Sequence, residues 1–187
     1  KPLSELDLTG TPPHELALLG PDEVHVTPGD KLAITVEGDQ EAKDQLRFTL
    51  KDGSLGILRK DKIFSREDKI AKITVTMPAP KEMTMAGSGK IQADAMASEA
   101  KVTIAGSGTI ETPNLSADKL DLTIAGSGDY RGAGNVKALD LTIAGSGSAA
   151  MDALRAEKAK VSIAGSGSTA FASDGEVEAS IVGSGNI

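Results

Sequence analysis

The chain has no cysteine and no tryptophan, and its 187 residues include only three phenylalanines and one tyrosine. Without cysteine it can form no disulfide bond and perform no thiolate chemistry. Because large rings are so scarce, its buried core must be narrow and filled by Val, Ile, Leu, Met and Ala. Such a core suits a thin solenoid better than a globular enzyme.

The sequence also lacks basic clusters and long apolar runs. Its 20 Lys and Arg stand against 27 Asp and Glu, for a net charge of −7, which disfavours nucleic-acid binding. No run of about 18 apolar residues occurs, so no transmembrane segment is expected. The first residue is Lys1 rather than Met, which suggests that a leader has been removed.

What the sequence does contain is a repeat. Gly-Ser-Gly occurs six times, with steps of 19, 20, 19, 20 and 18 residues, and a fixed period near 20 is typical of stacked-repeat folds. Apolar residues alternate before each tripeptide, which is typical of a strand with one buried face. The apolar residues two places before each first glycine are Met85, Ile104, Ile124, Ile143, Ile163 and Ile181.

These patterns predict an all-β fold, a single-stranded right-handed parallel β-helix with about 19–20 residues per coil. Each Gly-Ser-Gly should form a corner, since glycine tolerates unusual backbone angles. The right hand follows from the rule for parallel crossovers. A left-handed β-helix competes, but it needs an aliphatic residue every six positions, and 19–20 is not a multiple of six. Residues 151–160 have a helix-like composition, but they occupy the position taken in other coils by Pro-Asn or Gly-Asn segments, so we expect them to be part of a solenoid coil and not a helix.

The first 80 residues lack the tripeptide but still alternate. We predict strands at 24–26, 32–36, 46–50 and 73–75, and a charged loop at 60–72. The domain boundaries that follow are an N-terminal extension at 1–20 and a β-helix domain at 21–187. Within that domain, 21–80 form irregular first coils that cap the solenoid, and 81–187 form the regular repeats.

Few residues suggest chemistry. His14 and His25 are too few for a zinc site or a catalytic triad, and we expect them to be solvated. Asp121 and Asp140 should be neighbours on adjacent coils, which makes them a candidate calcium site or glycosidase pair. Lys101 and Lys160 flank them in the same column, however, and favour simple cross-strand charge pairing. We therefore predict no catalytic residue and no cofactor.

The Gly-Ser-Gly tripeptides are better explained as corners than as phosphate-binding loops, which need a helix N-terminus or a following lysine. Beside them, outward-facing Thr, Ser and Ala form a nearly uncharged strip. We regard this strip as a possible interaction face, for self-association first, for another ligand second and for ice third. Its residues are Thr103, Ala105, Thr123, Ala125, Thr142, Ala144, Ser162 and Ala164.

The order of these parts resembles the head GIN domain family of putative auto-transporter adhesins. The resemblance covers about residues 20–187. It is carried by the segments 20–26, 29–30, 34–39 and 51–55, by the serial Gly-Ser-Gly, and by the ending 183–187. It implies a right-handed parallel β-helix in a bacterial exported or cell-surface protein, and it brings no catalytic residues with it.

We therefore expect a non-enzymatic β-helix module that serves as an adhesin or scaffold. It would be periplasmic, associated with the outer membrane, or extracellular. The expected partners are a second copy, bound through the flat face or the coil ends, or a cell-surface glycan or protein. The alternative is a β-helix protein that binds or degrades polysaccharide.

Overall fold

The computed structural model describes residues 1–60 and 69–187. Most of the predicted loop 60–72 therefore lies outside the described residues. A short 3-10 helix spans Leu3–Glu5, and one α-helix, α1, spans Gln40–Gln45. The strands are β1 Glu15–Leu19, β2 Glu23–Pro28, β3 Ala33–Glu37, β4 Leu46–Lys51, β5 Ser54–Arg59, β6 Lys72–Met77, β7 Glu82–Gly87, β8 Lys90–Ala93, β9 Glu99–Gly106, β10 Thr109–Gly126, β11 Asp129–Gly145, β12 Ser148–Gly165, β13 Ser168–Ser173 and β14 Val177–Gly183.

The strands wind into a β-solenoid, as the period predicts, and it has about five turns. On its first face the stacking order is β4, β5, β1, β7, β9, the C-terminal parts of β10, β11 and β12, and then β14. On the second face the order is β3, β6, β2, β8, the N-terminal parts of β10, β11 and β12, and then β13. Neighbours are parallel except β4 with β5 and β3 with β6.

The core is the column of inward residues predicted from the alternation. Ile104, Ile124, Ile143 and Ile163 occupy matching positions on successive coils, and each is at most 1% exposed. Residues 151–160 lie within β12, so the prediction that they belong to a solenoid coil and not to a helix is confirmed, and the structure shows that they are strand. Here the coil period, which leaves no room for a helix, outweighs local helix propensity.

The Gly-Ser-Gly corners stack at close range. Gly145 has a φ of 122°, and a Cβ atom built on it would lie 2.5 Å from the carbonyl oxygen of Gly126 in the preceding coil. That same oxygen accepts hydrogen bonds from the N–H groups of Ser146 and Gly147, at 3.1 and 3.0 Å. The second glycine, Gly147, lies over the core, where a Cβ would come 2.6 Å from Cγ2 of Ile124. A Cβ on Gly147 would also collide with the carbonyl oxygen of Gly128, so both glycines are needed for close stacking, the first also for its backbone angle and the second also for core packing.

At the N-terminal end the coils are not stacked in sequence order. β1 pairs with β5 on one side and with β7 on the other, so the later strand β5 lies outside the earlier one. Gly20, Pro21 and Asp22 form the corner after β1, where the carbonyl oxygen of Gly20 accepts a hydrogen bond from Gly89 N–H at 3.0 Å.

A buried ion pair joins this corner to the outlying coil. The Asp22 carboxylate accepts hydrogen bonds from Nε and Nη2 of Arg59, at 3.0 and 2.7 Å, and from the N–H of Ala71 at 3.0 Å. The two side chains are 1% and 5% exposed. Because an isolated buried charge is costly, this bidentate contact holds the two coils in one relative position.

Part of the predicted extension 1–20 belongs to the solenoid, so that boundary was wrong. β1 is a central strand of the first face, and its Leu16 and Leu18 are at most 1% exposed. Leu3, Leu6 and Leu8 pack partly buried against the same core. The boundary was missed because β1 is short and its partners are distant in sequence.

The N-terminal end of the stack is formed by the strands β3 and β4, which α1 joins and which are each antiparallel to the strand beneath. Phe48 of β4 is 1% exposed, whereas Ile34 and Val36 of β3 are half-buried, and β3 pairs with β6 alone among the described strands. The edge of β4 is itself paired, since the N–H of Phe48 donates to the carbonyl oxygen of Lys1 at 2.7 Å and the Lys1 ammonium donates to the Phe48 carbonyl at 3.0 Å. The outermost strand on each face of this end is thus added by antiparallel pairing, and the capping role of the first coils stays a prediction.

One buried polar contact crosses the core. The hydroxyl of Tyr130, which is 0% exposed, hydrogen-bonds to the Thr112 hydroxyl of the preceding coil. Burial raises the pKa of Tyr130 to about 12, because the phenolate would lose its hydration, although the bond to Thr112 opposes the shift.

We expect Gly145→Ala to destabilise the solenoid by about 1–3 kcal/mol, since alanine disfavours the positive φ and its methyl group would meet the Gly126 carbonyl. Ser146→Ala, in the same corner but exposed, is the control and should change the free energy of unfolding by under about 0.5 kcal/mol. Urea titration followed by circular dichroism measures both. Equal stabilities of the two variants would contradict the stacking role of the first glycine.

Tyr130 is the single tyrosine, and there is no tryptophan, so its ultraviolet absorbance titrates without interference. We expect the folded protein to ionise near pH 12 and the urea-unfolded chain near pH 10. The folded state holds the Tyr130 proton more tightly than the unfolded chain does. The contribution of Tyr130 protonation to the free energy of unfolding is therefore complete below pH 10 and is lost as the pH rises towards 12. The loss amounts to about 3 kcal/mol. Ionisation near pH 10 with strands intact would contradict the burial.

Candidate functional site

The structure places the eight predicted interaction residues in two straight columns. Thr103, Thr123, Thr142 and Ser162 are register partners on β9, β10, β11 and β12. The second column, two residues further along each strand, is Ala105, Ala125, Ala144 and Ala164. We call these eight residues the small-residue strip. Thr103 and Thr123 are half-buried by their neighbours, and the other six are exposed.

The strip is flat because its side chains are short and repeat at each coil. Successive coils lie about 4.8 Å apart, so four coils span about 14 Å. The columns continue through Thr84 and Ala86 on β7 and through Ser180 and Val182 on β14. None of these positions carries a charge, so a partner could approach this surface without displacing the hydration of ions.

A charged column borders the strip on its N-terminal side along each strand. Lys101, Asp121, Asp140 and Lys160 are register partners, as the repeat predicts. Among the described residues, no cluster of three or more His, Cys, Asp or Glu has the geometry to hold a metal ion. Within the column, the carboxylates of Asp121 and Asp140 lie side by side on adjacent coils. Lys101 is the other neighbour of Asp121, and Lys160 is the other neighbour of Asp140.

The two histidines lie apart, and each is beside a carboxylate. Nε2 of His25 is 2.8 Å from Oδ1 of Asp94, with the side chains 46% and 35% exposed. Nδ1 of His14 is 3.9 Å from Oε1 of Glu15. The expectation that both histidines are solvated agrees with this exposure. The Asp94 partner was missed, because it follows from the register of β2 with β8, and that register is not visible in the sequence.

The corners do not offer their backbone N–H groups to a ligand. The N–H groups of Ser107 and Gly108 both donate to the Gly87 carbonyl oxygen, at 3.2 and 3.0 Å. The next corner repeats this contact from Ser127 to Gly106 at 3.1 Å. A phosphate loop needs such donors free, so the interpretation of the tripeptides as corners fits the geometry.

An apolar groove that the sequence did not predict lies at the N-terminal end of the strip. It is open, has a volume of about 510 Å³, and begins at Ala86, in line with the alanine column. Leu19, which is 47% exposed, contributes its apolar surface. The groove is lined by Leu19, Gly20, Leu58, Arg59, Ala86, Gly87, Ser88, Gly106 and Ser107. It was missed because Leu58 reaches this place through the reversed stacking of β5 on β1.

Within residues 1–60 and 69–187, neither helix has the length and apolarity that a membrane span requires.

Comparison with known proteins gives one family and a shared fold. The family model described as "putative auto-transporter adhesin, head GIN domain" matches residues 12–187. Among curated proteins no match is found. The chain is similar to a putative adhesin of Bacteroides fragilis, with 19% identity, a TM-score of 0.76, and 94% of this chain and 91% of that chain covered.

Two further structures share the fold. A putative lipid binding protein of Parabacteroides distasonis has 21% identity and a TM-score of 0.67, covering 95% of this chain and 93% of that one. A putative adhesin of Parabacteroides merdae has 16% identity and a TM-score of 0.72, covering 94% and 92%. At such identities the likeness concerns the fold alone.

We expect the charged column to act as cross-strand pairing rather than as a cation site. Calcium at millimolar concentration should leave the melting temperature of the wild type unchanged. Asp121→Asn should change the free energy of unfolding by under about 1 kcal/mol, the range of single cross-strand pairs. A calcium-dependent rise in melting temperature that disappears in Asp121→Asn would instead identify a cation site.

Proposed function

The chain belongs to the head GIN domain family, and we propose that it is a non-enzymatic, exported β-solenoid module for adhesion or scaffolding at the cell surface. The observation that carries the proposal is the register of the small-residue strip. Four coils present the same Thr/Ser-x-Ala pattern in line, which makes a rigid, flat surface. A surface built on paired strands is held in one geometry without loop ordering, so little entropy is lost on binding.

The strip and the apolar groove form one continuous surface on the first face. The alanine column leads from Ala164 to Ala86, and Ala86 lines the groove. Threonine hydroxyls donate and accept hydrogen bonds, while the alanine methyl groups offer apolar contact. This combination suits the faces and hydroxyls of a sugar, or the surface of another sheet. We propose a cell-surface glycan or protein as the partner.

A double substitution tests the surface. Ala125→Glu with Ala144→Glu places two carboxylates on neighbouring coils of the strip. We expect it to weaken binding to a glycan array or to immobilised cell envelopes by at least about tenfold, equivalent to about 1.4 kcal/mol. The physical reason is that a closely apposed partner would bury two unpaired charges.

The matched control is Ala150→Glu with Ala170→Glu. These exposed alanines are also register partners on neighbouring coils, but they lie on the second face. The control carries the same charge and the same repulsion between coils, so it should bind as the wild type does. An equal loss of binding in both double variants would contradict the proposal that the strip is the binding surface. Cleavage of a polysaccharide by the wild type, abolished by Asp121→Asn, would overturn the non-enzymatic assignment.

A further inference from the structure

A polar depression lies on the outer surface of the second face, over β3, β6, β2 and β8. It is open and has a volume of about 220 Å³. Two rows of outward side chains line it, two residues apart along each strand. The ionic row is Glu37, Lys72, Glu23 and Lys90, and the polar row is Thr74, His25 and Gln92. The depression therefore brings together polar groups from strands that are distant in sequence.

The charges of the ionic row alternate in sign but do not pair with one another. Lys72 is the register partner of both Glu37 and Glu23. Within residues 1–60 and 69–187, however, none of these three side chains makes an ion pair. Opposite charges on neighbouring coils do pair elsewhere, since Nζ of Lys137 lies 3.3 Å from Oδ1 of Asp118. The ionic row therefore presents carboxylate and ammonium groups to the depression rather than to each other.

The polar row is held in place by a hydrogen bond from outside the row. Nε2 of His25 is 2.8 Å from Oδ1 of Asp94, the residue that follows β8. His25 lies between Thr74 and Gln92, which are its register partners on the two neighbouring strands. The threonine hydroxyl and the glutamine amide each donate and accept hydrogen bonds. Because these groups stand on paired strands, little entropy is lost when a ligand binds to them.

We propose that this depression binds one sugar residue of a neutral glycan. A ligand that meets both charges of the ionic row must donate hydrogen bonds to the carboxylates and accept them from the ammonium groups, and a sugar hydroxyl does both. Because the row holds two charges of each sign, an ionic ligand would be attracted by one pair and repelled by the other. The volume lies below the roughly 300–1,000 Å³ of pockets for drug-sized ligands, so a single sugar ring is the unit that fits.

The depression is separate from the small-residue strip, which lies on the first face, so the two surfaces can act independently. Of the described residues that line the depression, none is Phe or Tyr, so its affinity for a sugar comes from hydrogen bonds. Such bonds replace bonds to water, and the net gain from each is small. Binding of a single sugar should therefore be weak, in the millimolar range, and a repeating glycan that engages several copies of the protein would bind more tightly through avidity.

Heteronuclear NMR of isotope-labelled protein tests the site, with the methyl glycosides of glucose, galactose, mannose and N-acetylglucosamine as probes. With at least one probe we expect saturable shifts of the backbone amides of Thr74, His25 and Gln92, while the amides of the strip stay unmoved. Saturable shifts on the strip alone would overturn this site and support the proposed function. The absence of saturable shifts with every probe, up to the solubility of the sugar, would also overturn it.

A double substitution removes two ionic groups with little change in size. Glu23→Gln with Lys72→Met should weaken binding of the best probe at least about tenfold, because hydrogen bonds to charged groups are the stronger ones. The melting temperature should stay unchanged, since neither side chain makes an ion pair in the described part of the chain. Lys90 is left in place because its Nζ also contacts Oε1 of Glu111, at 3.4 Å.

The matched control is Asp129→Asn with Lys158→Met, which makes the same change in charge on other coils. Both residues are exposed, and Asp129 continues the line of the ionic row further along the second face. The control should bind the probe as the wild type does. Equal weakening in the two double variants would show that the ionic row is not the binding site.

Charged probes test whether the ligand is neutral. Methyl glucuronide and inorganic phosphate should bind no more tightly than the best neutral probe, because Glu23 and Glu37 oppose an anion. Tighter binding of either anion, lost in Lys72→Met and kept in Glu23→Gln, would overturn the assignment of a neutral sugar. The strip variant Ala125→Glu with Ala144→Glu should bind the neutral probe as the wild type does, so this inference and the proposed function can fail independently.

Discussion

Close contact between glycine corners is the constraint on which this solenoid depends. From the second corner on, the serine N–H of each corner donates to the carbonyl oxygen of the first glycine one coil before, and a side chain on the corner's own first glycine would block that approach. Since this contact sets the register between coils, it also decides which residues face the core. The isoleucine column, the small-residue strip and the charged column are consequences of one repeated backbone contact. Surface and core are therefore coupled, and a shift of one residue at a corner would exchange them.

The regular part of the fold was predictable because its information is local and repeated. The spacing of Gly-Ser-Gly defined the coils, and the alternation before it separated Ile124 from Thr123. Family resemblance added the same architecture. Residues 151–160 show the strength of a period, since it excluded a helix there against the helical propensity of Ala, Glu and Lys. The charged column was also predictable, because its register follows from the corners.

The N-terminal region was harder because its pairings are not local. Nothing in β1 signals that it pairs with residues 54–58 on one side and residues 82–86 on the other. The boundary at residue 20, the helix α1 and the apolar groove were missed for this reason. The Asp22–Arg59 pair is equally invisible, since two charged residues 37 positions apart read as solvated until the coils are stacked. Assignment of the strip as a binding surface stays a prediction, because small side chains carry no chemical signature of a ligand.

The reversed order of the first coils has a consequence for how the protein acquires its structure. A chain that emerges from its N-terminus makes β1 first, yet both strands that flank β1 on the first face come later, at residues 54–59 and 82–87. The first coil therefore has two unsatisfied edges until residue 59 and one until residue 87, nearly half of the chain, so the stack cannot grow coil by coil from that end. Long-range closure of this kind slows folding. The regular repeats, whose coils pair with their immediate neighbours in sequence, are better placed to nucleate the stack, and the N-terminal coils would be completed onto it afterwards.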